Sequence, residues 1–302
     1  MLLTSGDAAY QLEMAQATHL TRQIECYARI AGDARSIAFA AGGGIAALTH
    51  RRLGRRFNHV AGFAMGTRVG PETLLSLEQS YAQRGLPVEI DLCPHADSSA
   101  LNGLSVRGYA VRAFSHIYAC KLADLGLPVA AACAASGDIE IRIGAPHDIA
   151  RTEAGRFGMT YFDVDQFEAR SIAALADPLR ARPRVPYEAL AKVARARRDT
   201  LLFCASIEGE IAGTAALSLI DSPSGRVAQL YLASTLPAWR GRGVYGALLK
   251  ARLAVARDEG YEVACLTIDS GEVSARCVER AGLRLAYTRS TFVRYPARAP
   301  VL

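Results

Sequence analysis

The chain has one tryptophan, four methionines and six histidines in 302 residues, and its seven cysteines include no C-x-x-C pair. Without such a pair, Cys26, Cys93, Cys120, Cys133, Cys204, Cys265 and Cys277 form neither a zinc ribbon nor a dithiol redox motif. They read as reduced core residues of a cytoplasmic protein. No apolar run reaches the roughly eighteen residues that a membrane span needs. The start, Met1–Asp7, has no basic segment followed by an apolar core, so neither a secretory signal nor a membrane partner is expected. Gly-Lys-Ser/Thr is missing as well, which excludes a P-loop. The net charge is +6, modest for this length, and no basic stripe is interleaved with aromatics, so nucleic acid is not an expected partner. His59, His95 and His116 lack metal-ligand spacing, and Pro94 interrupts the alternation of Asp91, Cys93, His95 and Asp97. No metal is therefore expected.

What is present is an ordinary globular composition, 51% hydrophobic and 21% charged, long enough for two domains of about 150 residues. The first half reads as a helix over 8–30, strands at 36–40 and 45–50 around Ala41–Gly44, and a strand at 58–64. A helix from Pro71 ends at Gly85; a strand at 88–92, a short helix from Ser98 and a long strand over 109–122 follow. Pro128–Gly137 is alanine-rich with Gly and Pro on either side and reads as a linker. The second half opens on a strand at 139–143, followed by helical segments up to Arg198. It continues with a hairpin around Glu208-Gly209-Glu210, a strand at 227–232, a long helix ending at Gly260, a strand at 261–268, a short helix at 273–281 and a last strand over 283–295. The expected domains are 1–127 and 138–302, joined by 128–137. The class is α/β (α+β), each domain a mixed central sheet flanked by helices.

The segment Trp239-Arg240-Gly241-Arg242-Gly243-Val244-Tyr245-Gly246 stands between the 227–232 strand and the long helix. Glycines let a backbone approach an anion, and a helix N-terminus carries unpaired N–H groups and partial positive charge. This is a place to hold a pyrophosphate. Gly241, Gly243 and Gly246 satisfy G-x-G-x-x-G, but only about fifty residues follow, too few for a doubly wound dinucleotide sheet. The plain alternative is a surface turn with two solvated arginines.

From Arg240 to Tyr245 the segment resembles the coenzyme A loop of the GNAT-type N-acetyltransferase superfamily, Arg/Gln-x-x-Gly-x-Gly/Ala. Tyr245 replaces the final small residue, Gly246 follows, and Pro237 also fits. The element order over about 138–296 resembles the GNAT core. The resemblance implies transfer of an acetyl or other acyl group from acetyl-CoA to a primary amine, on a small molecule or peptide, by direct attack. It assigns coenzyme A binding to Ser234, Thr235 and Leu236 on the fourth strand and to Arg240, Gly241, Arg242, Gly243, Val244, Tyr245 and Gly246. A homodimer is left open.

The catalytic positions depart from the family pattern. Val278 stands where the family has its acidic Tyr, and Gly271 replaces its Asn. Tyr287 is the nearest substitute in sequence, against a reading as a packed strand aromatic. No carboxylate lies within 227–232, so Asp269 at the end of the fifth strand is the first choice of base, ahead of Glu272. Both also suit a helix start. These departures keep a second function open, a non-catalytic acyl-CoA-binding regulatory module. The first half resembles a degenerate copy: Gly85–Leu92 parallels Gly260–Thr267, but Gly66–Pro71 has no coenzyme A loop pattern.

Overall fold

The computed structural model describes residues 4–133, 135–144, 155–175, 184–270 and 274–296. The chain forms two compact units, Met1–Ile117 with Ala286–Leu302, and Tyr118–Leu285.

The first unit opens with α1 (Gly6–Ala31), started by Ser5, whose hydroxyl accepts the Ala8 N–H at 3.2 Å, and ended by Gly32 at φ +62°. The hairpin β1 (Ile37–Ala41) and β2 (Gly44–Leu48) turns on Gly42 and Gly43, both at positive φ, as a tight hairpin turn requires. β2 runs antiparallel to β3 (Val60–Ala61), and β3 runs parallel to β4 (Val88–Leu92) through Val60 and Ile90. Helix α2 (Pro71–Ala82) connects them, and α3 (Ser98–Val106) follows β4, its N-terminus capped by Asp97. β5 (Ala110–Lys121) comes next. Leu74, Leu77, Tyr81, Ile90 and Leu104 form the buried core with Leu48 and Phe63.

The chain's last strand, β13 (Arg284–Arg294), lies antiparallel to β4, with Ser290 opposite Leu92 and Arg294 opposite Val88. This departs from the expected boundaries: 286–302 belong to the first unit and 118–127 to the second. The cause lies in the residues of β13. Phe292 joins the first unit's apolar core. On the opposite face Tyr287, Arg289 and Thr291 recur with the strand period of two and meet buried acids. Tyr287 and Arg289 bond Glu13, and Thr291 bonds Asp91.

In the second unit the sheet order is β12 (Val263–Asp269), β11 (Gly225–Thr235), β10 (Glu210–Ser222), β9 (Thr200–Ile207), β7 (Ile139–Gly144) and β6 (Ala135–Ser136), with β8 (Thr160–Tyr161) also on β7. β9 and β10 join through Glu208 at φ +53° and Gly209 at +81°, the expected hairpin. Leu201, Phe203 and Ala205 face the core that holds Leu248, Leu249 and Leu253 of α6 (Val244–Asp258). Leu202 and Cys204 face Phe167 of α4 (Asp165–Ala173) and Ala191 and Ala194 of α5 (Arg184–Ala196). The alternation along β9 thus puts helices on both faces of the sheet. Each fully buried leucine contributes about 2 kcal/mol. A short helix, α7 (Ala275–Arg280), follows β12.

The first part of the expected linker packs against α6. Ala130–Cys133 is a 3-10 turn, and the Ala130 N–H donates to Asp258 Oδ2 at 2.9 Å. Arg257 donates to the carbonyls of Leu127 and Pro128.

The two halves share one strand order. β1-β2-β3-β4 and β9-β10-β11-β12 are each paired antiparallel, antiparallel, parallel. In each, a helix runs between the third and fourth strands.

Candidate functional site

The site begins where β11 leaves its neighbour. β11 and β12 pair in parallel from Val227–Val263 to Gln229–Cys265, yet β11 continues to Thr235 and β12 to Asp269. Beyond Gln229 the two strands splay. On the other edge, Ala216 faces Tyr231 whereas Thr214 faces Ser234. β11 thus carries two residues, Leu232 and Ala233, against Ala215 alone. Leu232 sits at φ +49°, a conformation that a branched residue adopts only under constraint. Such a bulge bends a strand and re-aims its groups. Residues 231–236 are half-buried, so backbone is reachable at the splayed end.

Two devices hold the bulge. Gly213 on β10 has no space for a side chain, since a Cβ there would lie 2.7 Å from the Ser234 carbonyl and 2.8 Å from Val244 Cγ1. Arg252 of α6, 1% exposed, donates to the Ala216 carbonyl at 3.2 Å and the Tyr231 carbonyl at 3.4 Å. Burial lowers its guanidinium to about 10, so it stays a cation at neutral pH.

A single 3-10 turn, Pro237–Trp239, then leads through Arg240 to the glycines. Gly241 has φ +77° and Gly243 φ +84°, the left-handed region that favours glycine. Gly243 is the N-cap of α6, and the helical bonding starts with Ala247 N–H to the Gly243 carbonyl at 3.0 Å. The N–H groups of Val244, Tyr245 and Gly246 are thus those a helix N-terminus presents outward. A Cβ on Gly241 or Gly246 would meet nothing within 4 Å, and one on Gly243 only Ile139 Cδ1 at 3.8 Å. The space over the turn is open. Arg240 and Arg242 are exposed, and the Arg242 guanidinium lies 4.9 Å from the Trp239 ring centroid. A glycine–arginine turn at a helix N-terminus, with open space over it and a splayed strand pair before it, suits a long ligand with a phosphate end.

The structure brings Ser234, Thr235, Leu236 and the 240–246 turn together in consecutive chain. Leu236 differs from expectation in one respect. Its N–H donates to the Ala212 carbonyl at 2.9 Å and its carbonyl accepts from Trp239 at 2.9 Å, so its one backbone donor is not available to a ligand. Asp269 is the exposed last residue of β12, at the splayed end. Glu272 and Gly271 lie outside the described residues. Val278 is fully buried in the second unit's core, where it has no acid–base use.

Tyr287 is misplaced by sequence proximity. It belongs to the first unit, is 6% exposed, and donates to Glu13 Oε1 at 2.8 Å. Burial, with Glu13 adding to it, pushes its phenol far above the usual range. It is unsuited to protonate a thiolate. Burial also raises Glu13 despite Arg289 beside it. For Asp91 burial alone would raise the carboxyl, but Arg55 and Arg289 outweigh it and hold it at about 2.

The first unit's counterpart of the splay is closed. After Val60–Ile90, residues Phe63, Ala64 and Met65 are buried. The Asp97 N–H donates to the Ala64 carbonyl at 2.9 Å, and Ser99 Oγ accepts the Val69 N–H at 2.9 Å. Helix α3 is thus bonded across the strand end. Met14 of α1 fills the space over Gly62, whose Cβ would lie 2.7 Å from Met14 Cε. Among the described residues no three His, Cys, Asp or Glu side chains converge as metal ligands, and no helix is long and apolar enough to cross a membrane.

Residues 168–283 match the Acetyltransferase (GNAT) family. A GCN5-related N-acetyltransferase from Kribbella flavida is similar over 92% of this chain and 94% of its own, with a TM-score of 0.58 at 18% identity. A tandem GNAT protein from the clavulanic acid biosynthesis pathway, solved without AcCoA, is similar over 86% of this chain and 82% of its own (TM-score 0.57, 13% identity). A functionally unknown conserved protein from Staphylococcus epidermidis ATCC 12228 covers 87% and 95% (TM-score 0.53, 10% identity). No curated protein matches. The chain has the GNAT fold, and its residues 168–283 are similar to the GNAT acetyltransferase family.

Proposed function

We propose that the second unit binds acetyl-CoA, or another acyl-CoA, and passes the acyl group to a primary amine by direct attack. The observation that carries this is the splay of β11 from β12 beyond Gln229–Cys265, ending in a glycine–arginine turn at the α6 N-terminus. The N–H groups of Val244, Tyr245 and Gly246, with Arg240 and Arg242, hold the pyrophosphate. Gly241 and Gly243 allow it to approach. The backbone of Ser234 and Thr235 lines the pantetheine path, and Leu236 contributes side-chain contact. The thioester supplies an activated acyl carbon and a thiol leaving group. Asp269, beside the splayed end, takes the proton of the attacking amine, directly or through water. The first unit, closed by α3 and filled by α1, binds no acyl-CoA.

A thiol-release assay with acetyl-CoA and a panel of small amines and peptide N-termini tests this. Turnover with at least one acceptor is expected. A second reading, a regulatory acyl-CoA sensor, is favoured by Val278 in place of the family's tyrosine. Tight acyl-CoA binding with no turnover across the panel would select it.

A further inference from the structure

Three hydroxyls, two of them buried, form a hydrogen-bonded row that ends on the splayed strand. Ser171 Oγ on α4 lies 2.8 Å from Thr214 Oγ1 on β10, and Thr214 Oγ1 lies 2.9 Å from Ser234 Oγ. Ser171 is 6% exposed and Thr214 1%. Ser234 is half-buried on the splayed end of β11. The chain therefore runs from the protein interior to the mouth of the acyl-CoA slot.

Its direction follows from the cost of an unused donor. Each hydroxyl has one proton to give and can accept twice. A buried donor left without an acceptor carries a desolvation penalty, whereas one unused lone pair costs little. Ser171 is the inner end, and its hydroxyl is hydrogen-bonded to Thr214. Ser171 therefore donates to Thr214, and Thr214 donates to Ser234. That leaves the Ser234 O–H, at the half-buried end of the three hydroxyls, as the donor with no acceptor among them.

We infer that the Ser234 hydroxyl is the hydrogen-bond donor that stabilises the departing coenzyme A thiolate, and that Thr214 and Ser171 are the positioning residues that fix its direction. The inference rests on the acyl-transfer reading above. In the transfer, the amine lone pair forms the C–N bond, the C–S bond breaks, and its electron pair stays on sulfur. The ammonium proton leaves through the base. The sulfur anion accepts the Ser234 hydrogen bond and takes its final proton from water. Ser234 is not a net proton source, because the chain ends at Ser171 and offers no proton to replace one given away. A hydrogen bond to an anion is stronger than one to a neutral thiol, so the donor acts on the transition state more than on the bound thioester. It occupies the role left open by Val278.

The probe is coenzyme A itself, so no acceptor is needed. The ultraviolet band of the thiolate is titrated against pH with coenzyme A bound, after calorimetry has shown binding. In the wild type, the bound thiol is expected to be more acidic than free coenzyme A. Ser234→Ala should lower the bound thiolate fraction about fivefold at fixed pH while coenzyme A affinity changes little. Ser234→Thr should keep the wild-type titration. Thr214→Val, which frees the Ser234 proton to turn away, should fall between them. A wild-type bound thiol no more acidic than the free one, or identical titrations for wild type and Ser234→Ala, would overturn the inference and leave the acyl-CoA reading standing. Absence of coenzyme A binding in the wild type would overturn both.

Discussion

The Tyr287 hydroxyl donates a 2.8 Å hydrogen bond to Glu13 Oε1, joining residues 274 positions apart. Tyr287 also has Arg289 two positions on along the same strand face, and Arg289 Nη1 lies 3.4 Å from the same carboxylate oxygen. The last strand of the chain is thus tied to its first helix by a fully buried polar group. Tyr287→Phe leaves a buried Glu13 oxygen with one donor fewer. We expect a loss of about 1–3 kcal/mol in urea unfolding and unchanged turnover per folded molecule. A turnover loss of 10²-fold without a stability change would restore Tyr287 as an acid.

The same cluster predicts an acid-sensitive term. Asp91 bonds Arg55 and accepts from Thr291 at 2.8 Å, with Arg289 at 3.6 Å. Its folded-state value is about 2, against about 3.9 in an unfolded chain. A depressed carboxylate stabilises the fold above the unfolded value, so this term is complete above about pH 4. It fades as the pH falls towards about 2 and is worth about 2–3 kcal/mol. Asp91→Asn leaves two arginines less neutralised, and a stability loss of about 3–5 kcal/mol is expected at neutral pH. The gap between variant and wild type, followed by denaturant midpoints, should narrow below pH 4. A gap that stays constant to pH 2 would show that Asp91 is not the titrating group.

Gly213→Ala probes the bulge. A Cβ 2.7 Å from the Ser234 carbonyl meets backbone, which cannot swing aside. Overpacking of this kind costs about 1–3 kcal/mol, and coenzyme A affinity should fall because Ser234 and Val244 are both pushed. Wild-type stability and affinity together would mean that β11 adapts freely.

Asp269→Asn keeps the shape at the end of β12 and removes the base. Acyl transfer to a competent amine should drop about 10²-fold at neutral pH, with part of the loss returning at higher pH as free amine accumulates. Steady-state rates across pH decide it. Equal turnover in variant and wild type would assign the proton to another acceptor.

Much of this was legible in local signals. Glycine and proline mark the β9–β10 turn at Glu208-Gly209, the start of α2 at Pro71 and the 240–246 turn, because each needs a backbone geometry that few residues supply. Gly85–Leu92 against Gly260–Thr267 showed the repeated strand. Non-local pairing was not legible. That β13 lies on β4 depends on Arg289 meeting Glu13 and Asp91, and nothing near residue 289 states where those acids are. The signal available was the polar stripe Tyr287, Arg289, Thr291 on one face of β13, with Asp91 on β4 opposite Thr291. Arg252 had a signal too, a charge inside the apolar run Leu248, Leu249, Leu253, Val255. The Leu236 N–H is taken up by a backbone bond to the Ala212 carbonyl on a neighbouring strand, a pairing that cannot be read from sequence.

The proposed function requires one acyl-CoA site per chain at the 240–246 turn, and calorimetry with coenzyme A tests this most directly. The wild type should bind one equivalent per chain. Gly243→Val places a branched side chain at φ +84° where the phosphate must approach, and affinity should fall at least about tenfold, about 1.4 kcal/mol, in protein shown folded by circular dichroism. Two equivalents per chain, no binding, or an unchanged affinity in the folded variant would contradict it.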